Sequence, residues 1–532
     1  MAFNSTLFLG FVLLVSLIYF VIPKRFQWII LLVASYFFYI YTAGKLVVFL
    51  VLTTLTTFYT GLAIGKITEI YKKKISDSEN QVKGEEKKKL SEKNRKQKSL
   101  ILTAALLLNF GILIFLKYFN FLSASVFGVF HHFIPGLSTP ALNLILPLGI
   151  SFYTFQSTGY IIDVYRGTIL PDRHLGKFAL FVSFFPQIIQ GPISRYSELA
   201  EQLYAPHEFD YTRVKFGLQL ILWGLFKKMV IADRMVVMVD TVFNTYTTLP
   251  GTTIFLGAIL YSLQVYCDFS GGIDIARGVA QILGIDMPEN FKRPFFATSI
   301  SDFWRRWHIS LSSWMRDYIF YSISLSKSFT KLGRTARKFF GNYFGKMLPT
   351  MLAMLITFTL VGIWHGSSWK FVAYGLYNAF FIVLGIFFDP LLEGLFKKYK
   401  VNIKTFSWRF YQMGITFILV GFGRYFSRAD SFKTAIRMWL RTFRTFKISD
   451  FISGNFLNLG LDTAQVLVLV LSLVVLLVVE IVQERGISLR DWIAQQGLVF
   501  RWSLYLVAIF TILIFGVYGI GFDRNSFIYM GF

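Results

Sequence analysis

The sequence predicts an all-α, polytopic membrane fold, on three observations. Apolar runs of about 20 residues, the length a helix needs to cross a bilayer, recur from one end of the chain to the other. Of the 532 residues, 55% are hydrophobic, 60 are phenylalanine and only 16% are charged, far less charge than a soluble chain this long would carry. The one long hydrophilic stretch, KKKISDSENQVKGEEKKKLSEKNRKQK at 72–98, holds eleven Lys or Arg against five Asp or Glu, which marks a loop retained on the cytoplasmic side.

In chain order, runs at 5–23, 27–43 and 46–66 predict three spans. The basic loop at 67–98 follows them, so the N-terminus lies outside. Further spans are predicted at 99–117, 140–160, 214–232, 253–266, 347–364, 369–388, 407–423, 463–483 and 502–522. Shorter or more polar runs at 118–134, 178–193 and 270–284 suit re-entrant or tilted pieces shielded by protein. The total is 11–14 membrane segments in one integral membrane domain, with N-terminal helices at 1–150, a core at 151–390 and C-terminal helices at 391–532. The first helix lacks a basic leader and a small-residue cleavage site and is expected to be retained.

The net charge of +25 sits mostly at the ends of apolar runs. Topology and anionic headgroups account for it there, and nucleic acid is not an expected partner. The single cysteine, Cys267, excludes an intrachain disulfide and a cysteine-based zinc site. It is a candidate nucleophile only in principle, because no activating partner adjoins it in sequence.

With no soluble domain attached, any chemistry has to come from polar residues in the membrane core. Of six histidines, His131, His132, His174 and His207 fall in predicted loops or interfacial segments. His365 does not. It sits in GIWHG at 362–366, between apolar runs, and an ionisable group at that depth faces a cavity or a partner. The flanking Gly362 and Gly366 would admit another backbone closely.

His308 lies in SISDFWRRWHISLSSWMRDYIF, where Trp304, Trp307, His308, Leu311, Ser312 and Met315 fall on one face of a predicted interfacial helix. Ser299 and Asp302 form a capping arrangement at its start. In QVYCDFSGGIDIARGVAQILG, Asp268, Ser270 and Asp274 enter an apolar run, and Gly271–Gly272 predicts a break lining a cavity. Asp268 would pair with an arginine, orient a histidine or simply fix helix packing. In FFPQIIQGPISRY at 184–196, prolines and Gly191 interrupt the run, and Gln187, Gln190 and Arg195 add polar groups. No H-x-x-x-H or H-x-x-E-H pairing supports a zinc hydrolase.

These stretches, taken in order with GIWHGSSWKFVAYGLYNAF at 362–380, resemble the membrane-bound O-acyltransferase family. The likeness is greatest to the bacterial branch that holds the alginate O-acetylation and teichoic-acid D-alanylation membrane proteins. It is strongest over 150–390. The resemblance implies a helical funnel or tunnel, a catalytic histidine at His365 and a second functional histidine at His308. It further implies O-acetylation of an exported polysaccharide from a cytosolic thioester, either acetyl-CoA or an acyl carrier, with no bound cofactor and no metal. The acceptor would be extracytoplasmic polysaccharide or a partner acetyltransferase protein, and the location the bacterial cytoplasmic membrane. Asp268, Trp304, Trp364, Asn378, Gln187, Arg195 and Ser270 are candidates to line the substrate path. A basic imidazole suits the chemistry, because a hydroxyl is a weak nucleophile until a base takes its proton. Candidate oxyanion donors are His308, Trp304 and a backbone amide near Gly271 or Gly366. Alternatives are D-alanyl transfer to teichoic acid, a transporter or flippase, and a non-catalytic scaffold. Against transport stands the absence of a two-fold internal repeat.

Overall fold

The computed structural model describes residues 1–77, 84–130, 133–134, 139–452, 454 and 459–518. His131, His132 and the C-terminal SFIYMGF lie outside them. Among the described residues the chain is helical, and its β-structure is one isolated antiparallel bridge, Phe291 to Trp307. Seven helical stretches are long and apolar enough to cross a membrane. The other predicted segments are shorter or less apolar. The chain is a multi-pass membrane protein, and it divides into two compact units.

The first unit comprises 5–215 and 279–287. It opens with α1 (Thr6–Val21), capped by the Ser5 side chain, then α2 (Gln27–Ala43), α3 (Val47–Ser76) and α4 (Glu85–Phe130). The predicted basic loop is largely helix. Lys73 and Lys74 end α3 while Glu85 and Glu86 begin α4, and each pair suits the dipole at its helix end. The runs at 99–117 and 118–134 fuse into the single 46-residue α4. The span predicted at 140–160 starts only at α5 (Ile150–Arg166), because Pro140, Pro147 and Gly149 at φ 71° keep the preceding residues out of a helix. The apolar run predicted to be interrupted at 178–193 is broken as expected. α6 (Leu175–Ser183) ends before Phe184 at ψ 112°, and one turn, α7 (Phe185–Ile188), precedes α8 (Tyr196–Tyr204). His174 is an exposed cap of α6, and His207 is clamped by both amide atoms of Gln27.

The second unit comprises 2–4, 216–278 and 288–532. α9 (Tyr211–Leu225) widens into a π-turn over Phe226–Ala232 and continues as α10 (Asp233–Thr245). α11 (Gly251–Ile282) runs unbroken through Gly271 and Gly272, contrary to the predicted break. The glycine serves close crossing instead: a Cβ on Gly271 would lie 2.8 Å from the Gly224 carbonyl oxygen, and one on Gly224 would lie 2.5 Å from that of Gly271. The short α12 (Ile300–Arg306), α13 (Ile309–Trp314) and α14 (Tyr321–Ser324) lead to α15 (Lys327–His365), bent at Gly341 where φ is 75°. α16 (Trp369–Lys398) and α17 (Phe406–Arg428) follow. The unit closes with α18 (Phe432–Arg444), α19 (Ser449–Ile452), α20 (Thr463–Glu484), α21 (Leu489–Ala494) and α22 (Leu498–Phe515).

Candidate active site

Two short turns of the second unit carry its polar chemistry. The first joins α15 to α16. His365 is the last residue of α15, and Gly366 leaves the helix in an extended conformation. The hairpin is tight because glycines face each other: a Cβ on Gly362 would sit 2.3 Å from the Phe371 carbonyl oxygen and 2.9 Å from Gly375 Cα. The predicted close approach of a second backbone is therefore present at Gly362. It brings α16 residues beside the imidazole, with the Tyr374 ring centroid 5.8 Å from that of His365. Asn378, one turn further on, accepts a 3.0 Å hydrogen bond from Trp304 Nε1 and donates to the Tyr374 carbonyl.

The second turn carries His308 and departs from the sequence expectation. The predicted continuous helix is interrupted after Arg306: Trp307 is extended, and His308 adopts a left-handed conformation at φ 46°. The predicted Ser299 cap is present, its hydroxyl accepting from the Asp302 amide at 3.1 Å. The reason for the break is a strand-like contact with 290–292. Lys292 donates to the Arg306 carbonyl at 2.8 Å, and Ile309 donates to the Asn290 carbonyl at 2.9 Å. The Asn290 side chain completes the clamp. Its Oδ1 accepts from Ser310 N and Ser310 Oγ, both at 2.9 Å, and lies 3.3 Å from His308 Nδ1.

The two turns meet through aromatic rings. Trp364 lies against both histidines, 5.5 Å from the His308 ring centroid and 5.0 Å from that of His365. Phe269 of α11 closes the other side of His308 at 4.9 Å. His308 is fully buried. That burial, and secondarily the neighbouring His365, holds its pKa well below the usual histidine value, so the ring is neutral at pH 7.

The remaining predicted residues divide. Asp268 and Ser270 flank Phe269 but serve the buried lysines of the π-turn: Lys228 Nζ lies 2.6 Å from Asp268 and 2.8 Å from Asp233. Lys227 Nζ lies 2.8 Å from Ser270 Oγ and 2.6 Å from Asp274. Of the roles open to Asp268, the structure shows an internal salt bridge that fixes helix packing, with a lysine as its partner. Cys267, beside it, is fully buried. Gln187 and Arg195 belong to the first unit, where Gln187 is buried in α7.

Sequence reading missed Asn290, Tyr374 and Arg424. Arg424 is 4% exposed, donates to Tyr374 Oη at 3.2 Å and stacks on Trp307 with its Cζ 4.6 Å from the ring centroid. It lines, with His365, Tyr374, Trp307, Tyr261 and Ser427, a cavity of about 20 Å³, enough for one oxygen-sized atom. The only sequence signal was an arginine near the end of an apolar run, which topology alone explains. A separate cavity of about 540 Å³ is lined on its polar side by Lys227, Ser270, Asp274, Arg277, Asn290 and Arg293. It therefore reaches the residue that clamps His308.

Comparison with known proteins places these turns in context. Residues 171–424 match the family described as MBOAT, membrane-bound O-acyltransferase. A probable alginate O-acetylase of Pseudomonas aeruginosa is 31% identical over 89% of this chain and 81% of its own. The peptidoglycan O-acetyltransferase of Helicobacter pylori is 31% identical over 64% of each chain. The teichoic acid D-alanyltransferase of Bacillus subtilis is 33% identical over 54% of this chain and 69% of its own.

Proposed function

This chain belongs to the membrane-bound O-acyltransferase family and is an O-acyltransferase, and from that premise we propose that it moves an acetyl group from a cytosolic thioester to a hydroxyl of an exported or cell-surface polysaccharide. The location is the bacterial cytoplasmic membrane. The acceptor is the polymer itself or a partner acetyltransferase on the outer side. The observation that carries the reading is the buried imidazole pair, His308 and His365, held on two turns with one tryptophan between them.

His365 is the general base. It is buried and borders a small cavity, and a base at this position takes the hydroxyl proton as the new C–O bond forms, contributing roughly 10²–10⁴-fold in rate. His308, clamped by Asn290 and neutral, is a hydrogen-bonding neighbour that fixes Trp364 and the rest of the pocket. The 540 Å³ cavity supports an approach for a thioester such as acetyl-CoA or a phosphopantetheine carrier by its room, since Lys227, Arg277 and Arg293 on its wall are already paired with Asp274, Glu289 and Glu484.

A second reading, D-alanyl transfer to teichoic acid, has support from the Bacillus relative, over a smaller share of the chain than the alginate-type relative covers. The deciding experiment is mass spectrometry of the cell-surface polymer from cells carrying wild-type protein or His365→Ala. Loss of ester-linked acetyl groups in the variant is expected. Unchanged acetylation would sink the reading, and loss of D-alanyl esters instead would establish the second.

A further inference from the structure

Arg424 is a buried charge that the acyl-transfer scheme does not yet use. Burying a guanidinium without an anion is expensive, because neither Coulombic attraction nor a full set of hydrogen bonds offsets the lost hydration. Neighbouring arginines on such helices are normally paired. Arg428, one turn further along α17, takes the Asp240 carboxylate. Arg424 is 4% exposed, yet no carboxylate within 4.0 Å of it occurs among the described residues. Its Nη1 donates to Tyr374 Oη, while Nε and Nη2 have no acceptor among the described residues. Its plane is held against Trp307, the residue preceding His308. The ring that receives its hydrogen bond, Tyr374, also packs on His365. The guanidinium therefore borders the same cavity of about 20 Å³ as the base. That volume admits an atom about the size of a water oxygen.

We propose that Arg424 is a catalytic residue of this enzyme: its guanidinium N–H groups receive the carbonyl oxygen of the acyl thioester and stabilise the oxyanion that forms there. The assignment rests on the acyl-transfer reading above. The acceptor hydroxyl oxygen bonds to the thioester carbonyl carbon, and its proton passes to the His365 imidazole. The carbonyl π pair moves onto oxygen, facing Arg424. On collapse the C=O bond reforms, the C–S bond breaks, and the departing thiolate takes the proton from the imidazolium. Ester and thiol leave, and both side chains return to their starting states. The guanidinium gains strength as a donor only when charge develops, which is the condition for accelerating the chemical step.

The test uses the full chain purified in detergent, with radiolabelled acetyl-CoA as donor and two acceptors, an alginate oligosaccharide and an uncharged oligosaccharide. Arg424→Gln is expected to lower kcat about 10²–10³-fold, with the donor KM within about threefold of wild type and the same loss for both acceptors. Arg424→Lys, which keeps the charge but not the fork, is expected to lose only about tenfold. It carries the test if the glutamine variant does not give a monodisperse protein. Wild-type kcat in either variant overturns the assignment. So does a loss confined to the KM of the carboxylate-bearing acceptor, which would make Arg424 an acceptor anchor. His365→Ala run in parallel separates the two readings. If that variant is inactive while Arg424→Gln is not, the arginine assignment alone fails. If His365→Ala turns over normally, the acyl-transfer reading fails with it.

Discussion

The second unit buries cations in two places and treats them in opposite ways. On the π-turn after α9, Lys227 and Lys228 are each met by acidic partners, Lys228 by two of them. On α17, Arg424 is equally hidden, but among the described residues it has a phenol and an indole face in place of a carboxylate. The lysine cluster ties the π-turn and α10 to α11 and has its counter-charges built in. The arginine lies beside a small void and a histidine, and no carboxylate among the described residues meets it. A fully matched buried charge therefore reads as structure, and an unmatched one beside a cavity reads as a place where something binds.

The largest effect that separates the two places is in stability. Lys228→Met leaves Asp268 and Asp233 buried without their cation. It should destabilise the protein by about 3–5 kcal/mol, seen as loss of the monodisperse peak in fluorescence-detected size exclusion of the full chain. Arg424→Gln should stay within about 1 kcal/mol of wild type while losing turnover. Equal stability of the two variants would erase the contrast.

A smaller effect belongs to the turn that carries His308. Asn290→Ala removes the acceptor of two 2.9 Å bonds from Ser310 and the neighbour of His308 Nδ1. A cost of about 1–3 kcal/mol is expected, along with reduced acetyl transfer, read by thermal unfolding and turnover on one preparation. Wild-type values for both would show that the clamp does not position the site.

Acidity sharpens the comparison from a third side, because His308 is a buried titratable group held neutral. Its folded pKa lies well below 6.5 through burial and then through His365. The unfolded chain therefore takes up the proton first. Stability should be level above pH about 6.5 and fall as pH drops below it, by up to about 1.4 kcal/mol per unit. His308→Gln should flatten the difference in unfolding temperature between pH 7.5 and pH 5.5. An undiminished slope would place its origin elsewhere. The smallest expected change is Trp304→Phe, which leaves Asn378 Oδ1 without its 3.0 Å donor and should cost about 1 kcal/mol by thermal unfolding.

Sequence alone carried the helical membrane architecture and the burial of His365 beside a close backbone crossing, because both depend on local patterns: long apolar runs, and one imidazole between glycines. It failed where partners are distant along the chain. The 3.6-residue spacing of Trp304, Trp307, His308 and Leu311 fits a helix, and nothing local announces that Asn290 interrupts it. Lys227 and Lys228 lie unremarked in the predicted span 214–232, since two of their carboxylates, Asp274 and Asp268, stand forty or more residues later on α11. Gly271 and Gly272 read as a break, although Gly271 serves to admit the backbone of α9. Arg424 gave no signal because its meaning lies in what it lacks, and a missing counter-ion is visible only once every neighbour is in place.

The interruption at Trp307–His308 also changes how mutations reach the site. On an uninterrupted helix, inserting or deleting one residue would swing every later side chain by about 100° and aim the imidazole elsewhere. Here the ring takes its direction from residues 290–292, so length changes within α12 can be absorbed at the junction without turning it. Evolution and engineering can thus alter the approach to the pocket while the imidazole pair beneath it stays aligned.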